Sequence, residues 1–400
     1  MLHQRSFSII GLFTLALFAA CAADDGYKPG SKNKYDPDAG DANDSEFGVG
    51  EVDLTKPCTA GPHDDLDGDG WTIAQGDCND CVASVNPGAF DVPGNNYDDD
   101  CDGIIDNGLA DCDMGLAIND NDPMNGARAM DLCRTTTATD KNWGVLSAKY
   151  VKVDGTPGMA DIGRGLLPSF GVNSPKRGSA MLALSTGAAR GSGQPGFSTD
   201  DVEHGTKSNP PEGYPKESPA CPGVQTGDCN DPAALELEIR VPTNARSFSF
   251  NLNFFTREFP VYICSQYNDF FVTMMWPQHP GLPDPNISFD ADNNPISVNN
   301  SLLQVCEPQN AGGKNFPCPQ GPASLAGTGF DGAGGIFDTQ KHAATGWLLT
   351  SAPVTPGSII KLRFAIWDSG DGVLDSTVLL DNFMWDTETV EAIETVPIIK

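Results

Sequence analysis

Three stretches of the chain alternate apolar and polar residues with a period of two. Leu235, Leu237, Ile239 and Val241 are separated by Glu236, Glu238 and Arg240. Phe248, Phe250, Leu252 and Phe254 are separated by Ser249, Asn251 and Asn253, while Ile360, Leu362, Phe364 and Ile366 alternate in part with Lys361 and Arg363. Successive side chains of a strand point to opposite faces, so each stretch predicts a half-buried strand with one wet face. Gly, Pro and Asn turns bound these runs, and long amphipathic helical patterns are missing. A mainly β fold of antiparallel sheets packed as a sandwich is therefore predicted from about residue 141.

The first apolar run has a different character. Arg5 is followed by an apolar stretch from Phe7 to Ala20. That is too short for the roughly 20 residues needed to span a bilayer, so residues 1–20 read as a secretory signal peptide. The run ends in Phe18-Ala19-Ala20-Cys21, which resembles a bacterial lipobox, with Phe18 where the pattern prefers leucine. The resemblance implies lipidation of Cys21; ordinary cleavage after Ala20 or Ala22 would instead give a secreted protein. No later segment is apolar enough to span a membrane, so an N-terminal lipid would be the only attachment. Residues 21–57 are polar and without period, and read as a disordered, flexible tether.

Charge divides the remainder. The 400 residues carry 54 Asp and Glu against 24 Lys and Arg, a net charge of −30. That balance excludes nucleic acid as a partner, since phosphate contacts need clustered bases, and it excludes polybasic docking on anionic lipid. Residues 22–140 hold 27 acids and 6 bases, whereas residues 141–400 hold 27 and 17. Two regions of different chemistry follow. Twelve cysteines in such a chain indicate an oxidising compartment.

Residues 64–107 contain twelve Asp and no Glu, Lys or Arg. Asp65, Asp67 and Asp69 alternate before Gly70; Asp98, Asp100 and Asp102 repeat the spacing before Gly103, with Asp106 following. Alternate carboxylates before a glycine are how a loop wraps a hard cation, and without one the charges repel at close range. Neither loop is an EF-hand, because the twelfth position of the first is Gly76, not Glu. Asp77 and Asp80 are the expected completing ligands there. Oxygen-only ligation favours Ca2+ over zinc or copper. The competing reading is that Asp, Asn and Gly serve only as turn formers in a solvated linker.

The run from Asp67-Gly68-Asp69-Gly70-Trp71 through Gly76-Asp77-Cys78-Asn79-Asp80 to Asp98-Asp99-Asp100-Cys101-Asp102-Gly103 resembles the Asp/Cys-rich metal-binding motif of bacterial surface proteins. It is also similar to thrombospondin type 3 calcium repeats in its acid spacing. The motif usually has a cysteine near Pro93, where this chain has none, and Cys81 is extra. A copper-binding relative of the motif makes copper the minor alternative.

Further on, Leu184-Ser185-Thr186-Gly187, the stretch Phe254 to Phe270, Pro295 to Asn300, and Thr345-Gly346-Trp347 to Trp385 resemble, in order, the bacterial choice-of-anchor L domain. Arg257 replaces the first acid of that family's Glu-Glu pair, and Glu258 keeps the second. The resemblance covers residues 141–386 and implies an extracellular protein without an established enzymatic activity. Within it, Asp368, Asp371 and Asp375, with Asp381, flank strand ends where a turn could converge them with Glu258 and Asp269 on a cation; the alternative is a tight turn whose Asp side chains bind backbone amides.

The organisation expected is signal 1–20, tether 21–57, Asp/Cys-rich segment 58–108, connecting segment 109–140, sandwich 141–388 and tail 389–400. With Cys21 lipidated, eleven cysteines remain and cannot all pair. Cys221 with Cys229, and Cys306 with Cys318, are the expected local pairs, leaving Cys264 free. No HExxH, GxSxG or Walker signature occurs, and His63, His204, His279 and His342 are isolated, expected on the surface or in loops. A non-catalytic, calcium-binding, lipid-anchored envelope protein is expected, presenting its sandwich to an extracellular protein or matrix. A calcium-dependent carbohydrate-binding module, with Trp276, Trp347, Trp367 and Trp385 as a stacking platform, is the competing class, though core packing is the expected role of these rings. An extracellular hydrolase stands third.

Overall fold

The computed structural model of the chain describes residues 58–108, 110–332 and 341–398. The signal, Cys21 and the tether 21–57 lie outside the described residues. Among the described residues the first strands are β1 (Gly144–Val151), β2 (Arg164–Leu167), β3 (Met181–Ser185), β4 (Lys207–Ser208) and β5 (Cys229–Arg240). Next come β6 (Ser247–Thr256), β7 (Phe270–Trp276), β8 (Ile296–Ser297), β9 (Gln309–Ala311) and β10 (Lys314–Phe316). The last are β11 (Ala343–Ala344), β12 (Leu348–Pro353), β13 (Ile359–Ser369), β14 (Ser376–Asp386) and β15 (Glu394–Pro397).

Among the described residues the strands form two large antiparallel sheets and a small one of β9 and β10. Of the large sheets, one runs β1-β5-β13-β7-β8, with β4 also on β5; the other runs β15-β12-β6-β14-β3-β2, with β11 also on β6. The three alternating runs are β5, β13 and β6, each central in its sheet. Their apolar positions Leu235, Leu237, Ile239, Phe248, Phe250, Leu252, Phe254, Leu362, Phe364 and Ile366 all enter one buried cluster. Phe250 meets Phe364 edge-to-face across the gap at 5.1 Å between ring centroids, which joins the sheets at their middle.

The expected wet faces are a different matter. Tyr214, on the long connection before β5, covers the outer side of the first sheet and packs on Phe270 and Trp367. Phe170 and Phe330 cover Phe255 on the outer side of the second. Long connections thus lie over both outer faces, and polar strand residues there are buried with partners. Arg363 pairs with Glu236 and donates to the Val153 carbonyl at 2.9 Å, while Asn382 donates to Asn251 at 3.0 Å.

Segments read as peripheral also join the fold. In the connecting segment, helix α1 (Pro123–Arg128) starts at Asp122, whose side chain accepts from the Met124 N–H, with proline at the first helical turn. Ala127, Met130 and Leu132 then enter the central cluster. In the tail, β15 pairs with β12. The Asp/Cys-rich segment has its own small apolar centre, with Trp71, Val85 and Ala89 buried. It docks on the sandwich where Trp143 donates to the Ala89 carbonyl at 2.7 Å and Asn244 bonds both ways with the Phe90 backbone.

Cysteine pairing departs from expectation at one pair. The disulfides are Cys58–Cys81, Cys78–Cys101, Cys112–Cys133, Cys221–Cys264 and Cys306–Cys318. Among the described residues Cys229, not Cys264, is the free thiol, and it is buried. The reason is topological: Cys229 opens β5 and is held between Ser208 and Ser369 of the flanking strands, while Cys221 pairs with Cys264. The extra Cys81 is accounted for by Cys58.

Because Phe250 and Phe364 join the sheets, Phe250→Ala should cost about 3–5 kcal/mol of folding stability, the range for truncating a buried aromatic. Urea unfolding followed by tryptophan fluorescence reads this as a lower midpoint with an unchanged slope.

Candidate metal centres

The first Asp loop is shaped by its own backbone. The Gly68 and Gly70 N–H groups donate to Asp65, Asp69 donates to Asp67 at 3.2 Å, and Trp71 donates to Asp69 at 2.7 Å. Gly68 and Gly70 have φ of 78° and 89°, which side-chain-bearing residues rarely adopt. This winding brings carboxylate oxygens of Asp65, Asp67 and Asp69 within 4.8 Å of one another, and those of Asp67, Asp77 and Asp80 likewise. Asp77 and Asp80, named from spacing alone, are 3% and 0% exposed.

Each of Asp67, Asp77 and Asp80 keeps one buried oxygen, Oδ2, with no hydrogen-bond donor. Burial, with Asp69, Asp67 and Asp80 nearby, pushes the Asp77 carboxyl up to about 6 despite the Asn79 N–H. Burial and neighbouring acids also raise Asp67 and Asp69. Orphaned oxygens converging among like charges are what a hard cation satisfies, so the residues fit calcium. Asp65, Asp67, Asp69, Asp77 and Asp80 would hold it.

The second loop is built differently. Its close group is Asp91, Asp98 and Asp100. Asp102 instead accepts from the Ile104 N–H and the Asn107 side chain, and Asp106 from the Gly94 and Asn96 N–H groups, so both act as turn-formers. Asp91 escaped the sequence reading because it stands alone between Phe90 and Val92, outside the alternating run. Arg134 lies 3.3 Å from Asp100, and backbone amides of Asp99 and Asn107 fill both Asp91 oxygens. This group needs a cation less than the first.

In the sandwich, Glu258 follows β6, Asp269 precedes β7, Asp368 lies near the end of β13 and Asp375 precedes β14, all at one end of the two sheets. Asp375 turns aside to the Val202 N–H at 3.1 Å, near the Arg257–Asp201 ion pair. Asp371 is exposed on the turn and accepts from Val373 at 3.1 Å. Asp371 thus bonds an amide of its own turn, whereas Asp375 bonds one on the distant connection before β4. Glu258, Asp269 and Asp368 are 1%, 0% and 2% exposed. Burial, then the Asp368 charge, pushes Glu258 and Asp269 far above the carboxylate range; burial and Asp371 push Asp368 up to about 8. Elsewhere Asp131, 3.8 Å from Arg177, is raised by burial to about 6, and Asp381, which takes the Lys176 N–H, to about 7.

The chain order β6, β7, β13, β14 that delivers these acids coincides with a known domain: the choice-of-anchor L domain matches residues 178–383, just over half of the chain. The chain belongs to the choice-of-anchor L family. The family is of a cell-surface, non-enzymatic kind. No curated protein and no solved structure matches the chain. Among the described residues, no helix is long and apolar enough to cross a membrane. The acids Glu258, Asp269 and Asp368 lie within the matched domain, and the Asp loops lie before it.

The histidines and tryptophans fall into structural places. His204 Nε2 lies 2.7 Å from the Gly187 carbonyl, and His342, expected at the surface, is buried with Nδ1 3.0 Å from the Phe259 carbonyl. Trp367 is buried and Trp385 packs on Phe248 and Phe383. Trp276 lies beneath Lys361, and Trp347, just before β12 of the other sheet, beneath Lys176. The four rings form no common platform.

A carboxyl raised in the folded state binds protons there that the unfolded chain releases, so it costs stability where it is ionised. That cost is complete above the raised values, about 6 to 8 for Asp77, Asp131, Asp375, Asp381 and Asp368, and vanishes below the ordinary value near 4. Calcium-depleted protein should therefore melt at a higher temperature at about pH 5 than at about pH 8. Calcium at the higher pH should recover part of the difference, as thermal melts in each condition would read.

Proposed function

We propose that this choice-of-anchor L protein is a non-catalytic, calcium-binding envelope protein, attached through lipid on Cys21 and presenting its sandwich for adhesion to an extracellular protein or matrix. The observation that carries the calcium reading is the pair of carboxylate groups Asp65, Asp67, Asp69 and Asp67, Asp77, Asp80, which share Asp67, with three orphaned buried oxygens and no Lys or Arg between residues 64 and 107. Calcium there is structural: it replaces mutual repulsion with coordination and adds stability by binding only the folded loop. The oxygen-only donor set disfavours copper. The cell-surface character of the family supports the presentation role, and the lipobox-like Cys21 supports the anchor. A carbohydrate-binding role has less support, since Trp276 of β7 and Trp347, just before β12 of the other sheet, each lie under a lysine.

Isothermal titration of the chelator-treated mature protein should show calcium binding at or below millimolar concentration. Extracellular calcium modules hold the ion at about 0.1–1 mM. Asp77→Asn should weaken the strongest step by at least about tenfold; absence of heat at millimolar calcium would defeat the reading.

Mass spectrometry of the mature N-terminus decides the anchor separately. A diacyl or triacyl adduct on Cys21 is expected, and an unmodified or missing Cys21 would rule lipidation out.

A further inference from the structure

The β13–β7 ladder pairs Ile366 with Phe271 and Trp367 with Phe270, and the Asn268 N–H still donates to the Ser369 carbonyl at 3.1 Å. Asp269 and Asp368 therefore stand directly opposite each other between those pairs. Ile366 and Phe271 belong to the central cluster, whereas Trp367 and Phe270 belong to the outer one. On the β5 side the register shifts between Ile366 and Asp368, yet Ser369 still pairs with Cys229 of the outer cluster, so Asp269 and Asp368 turn inward, toward the gap between the sheets. Like charges directly opposite in a ladder are destabilising even when exposed, and this pair is buried.

The third acid comes from the other sheet. Glu258 lies just past β6, at the end where Thr256 pairs with Ser376 of β14, and is 1% exposed. Its carboxyl feels both the Asp269 N–H and the Asp368 charge, so it stands beside the opposing pair. Glu258 Oε2, Asp269 Oδ1 and Asp368 Oδ1 are buried without any donor. The nearest base by sequence, Arg257, points away to Asp201 and the Gly329 carbonyl. The hydroxyl of Thr186 adds a neutral oxygen, 3.3 Å from Asp269 Oδ2.

We propose that Glu258, Asp269 and Asp368 form a divalent-cation site, calcium by its donor chemistry, that ties the two sheets together at one end of the sandwich. Three carboxylates from two sheets, a hydroxyl and ordered water can supply the roughly six to eight oxygens that calcium takes. The loop groups have ligand oxygens within 4.8 Å of one another, and the sandwich trio is not among them. Binding therefore requires these side chains to approach one another, which the charge of the ion favours. The site is independent of the Asp loops, so either can exist without the other.

The test uses the full mature chain carrying Asp67→Asn and Asp98→Asn, which disables both loops. Native mass spectrometry in calcium should show one retained ion, and terbium should bind with luminescence sensitised by Trp367, next to Asp368. Adding Asp269→Asn should abolish that ion and weaken terbium binding by at least about 100-fold, the upper range for partners one shell farther from a metal. Calcium should raise the melting temperature of the loop-disabled protein and leave that of the Asp269→Asn form unchanged. Loss of all ions in the loop-disabled protein, or an ion count unaffected by Asp269→Asn, overturns the proposal. Should Asp269→Asn fail to fold, Glu258→Gln takes its place, and the ion count of the loop-disabled protein decides alone. Failure of the loop reading shows separately, as an unaltered parent that holds no more ions than its loop-disabled form.

Discussion

The burial of facing apolar sides between two antiparallel sheets sets the position of everything else in this protein. Phe250 on β6 and Phe364 on β13 touch at the centre of that interface, and both strands are interior to their sheets. A strand cannot change which face a residue points to without a bulge, so the inward side of an apolar run continues past its end. The inward side of β13 runs from Ile366 on to Asp368 along its regular ladder to β7, and Glu258 is buried just past the end of β6. The acids at the end of the sandwich thus inherit an interior address from the core that precedes them. Removing three carboxylates from water without a counter-charge opposes folding, and a structure that tolerates it has a compensating partner or keeps the groups protonated.

The Asp loops meet the same electrostatic problem by a different route. Their segment is short and could not hold itself by core burial alone; Trp71, Val85 and Ala89 make a small centre, and Cys58–Cys81 and Cys78–Cys101 cross-link it. Backbone N–H groups of the turns satisfy one oxygen of most carboxylates and leave Oδ2 of Asp67, Asp77 and Asp80 facing inward. Chain geometry therefore selects which oxygens remain for a cation. In the second loop the same kind of turns, with Arg134 and the Asn107 side chain, satisfy the acids more fully. Two copies of one spacing thus carry unequal need for an ion.

What the sequence made legible follows from which interactions are local. Period-two alternation is local, so β5, β6 and β13 could be read directly, as could Asp77 and Asp80 as companions of the first loop. The covering of the outer faces was not legible, because Tyr214, Phe170 and Phe330 sit in connections without period and reach their targets only through the fold. Asp91 was missed because its partners Asp98 and Asp100 come back to it around a turn. The pairing of Cys221 with Cys264 rather than the nearer Cys229 follows from strand β5 claiming Cys229, a constraint invisible in spacing alone. The gathering of Glu258, Asp269 and Asp368 could be named as a turn that draws them together, but its inward direction needs the ladder register.

The net charge of −30 has a structural meaning once these positions are known. Acids lie where the backbone or the strand alternation forces them together, so the excess is concentrated at a few points. An ion at such a point removes two charges locally, which favours order in the segment that holds it. The loop segment touches the sandwich through Ala89, Phe90 and the side chains of Trp143 and Asn244. Under the calcium reading, order that an ion brings to the loop would reach the edge of the sandwich through these hydrogen bonds. At the far end, an ion held between Glu258 on one sheet and Asp269 and Asp368 on the other would resist the sheets parting. Under the proposed reading, a protein working in calcium-rich surroundings is stiffened at both places by the same ion, and one that meets calcium only there is held in its presented form only there.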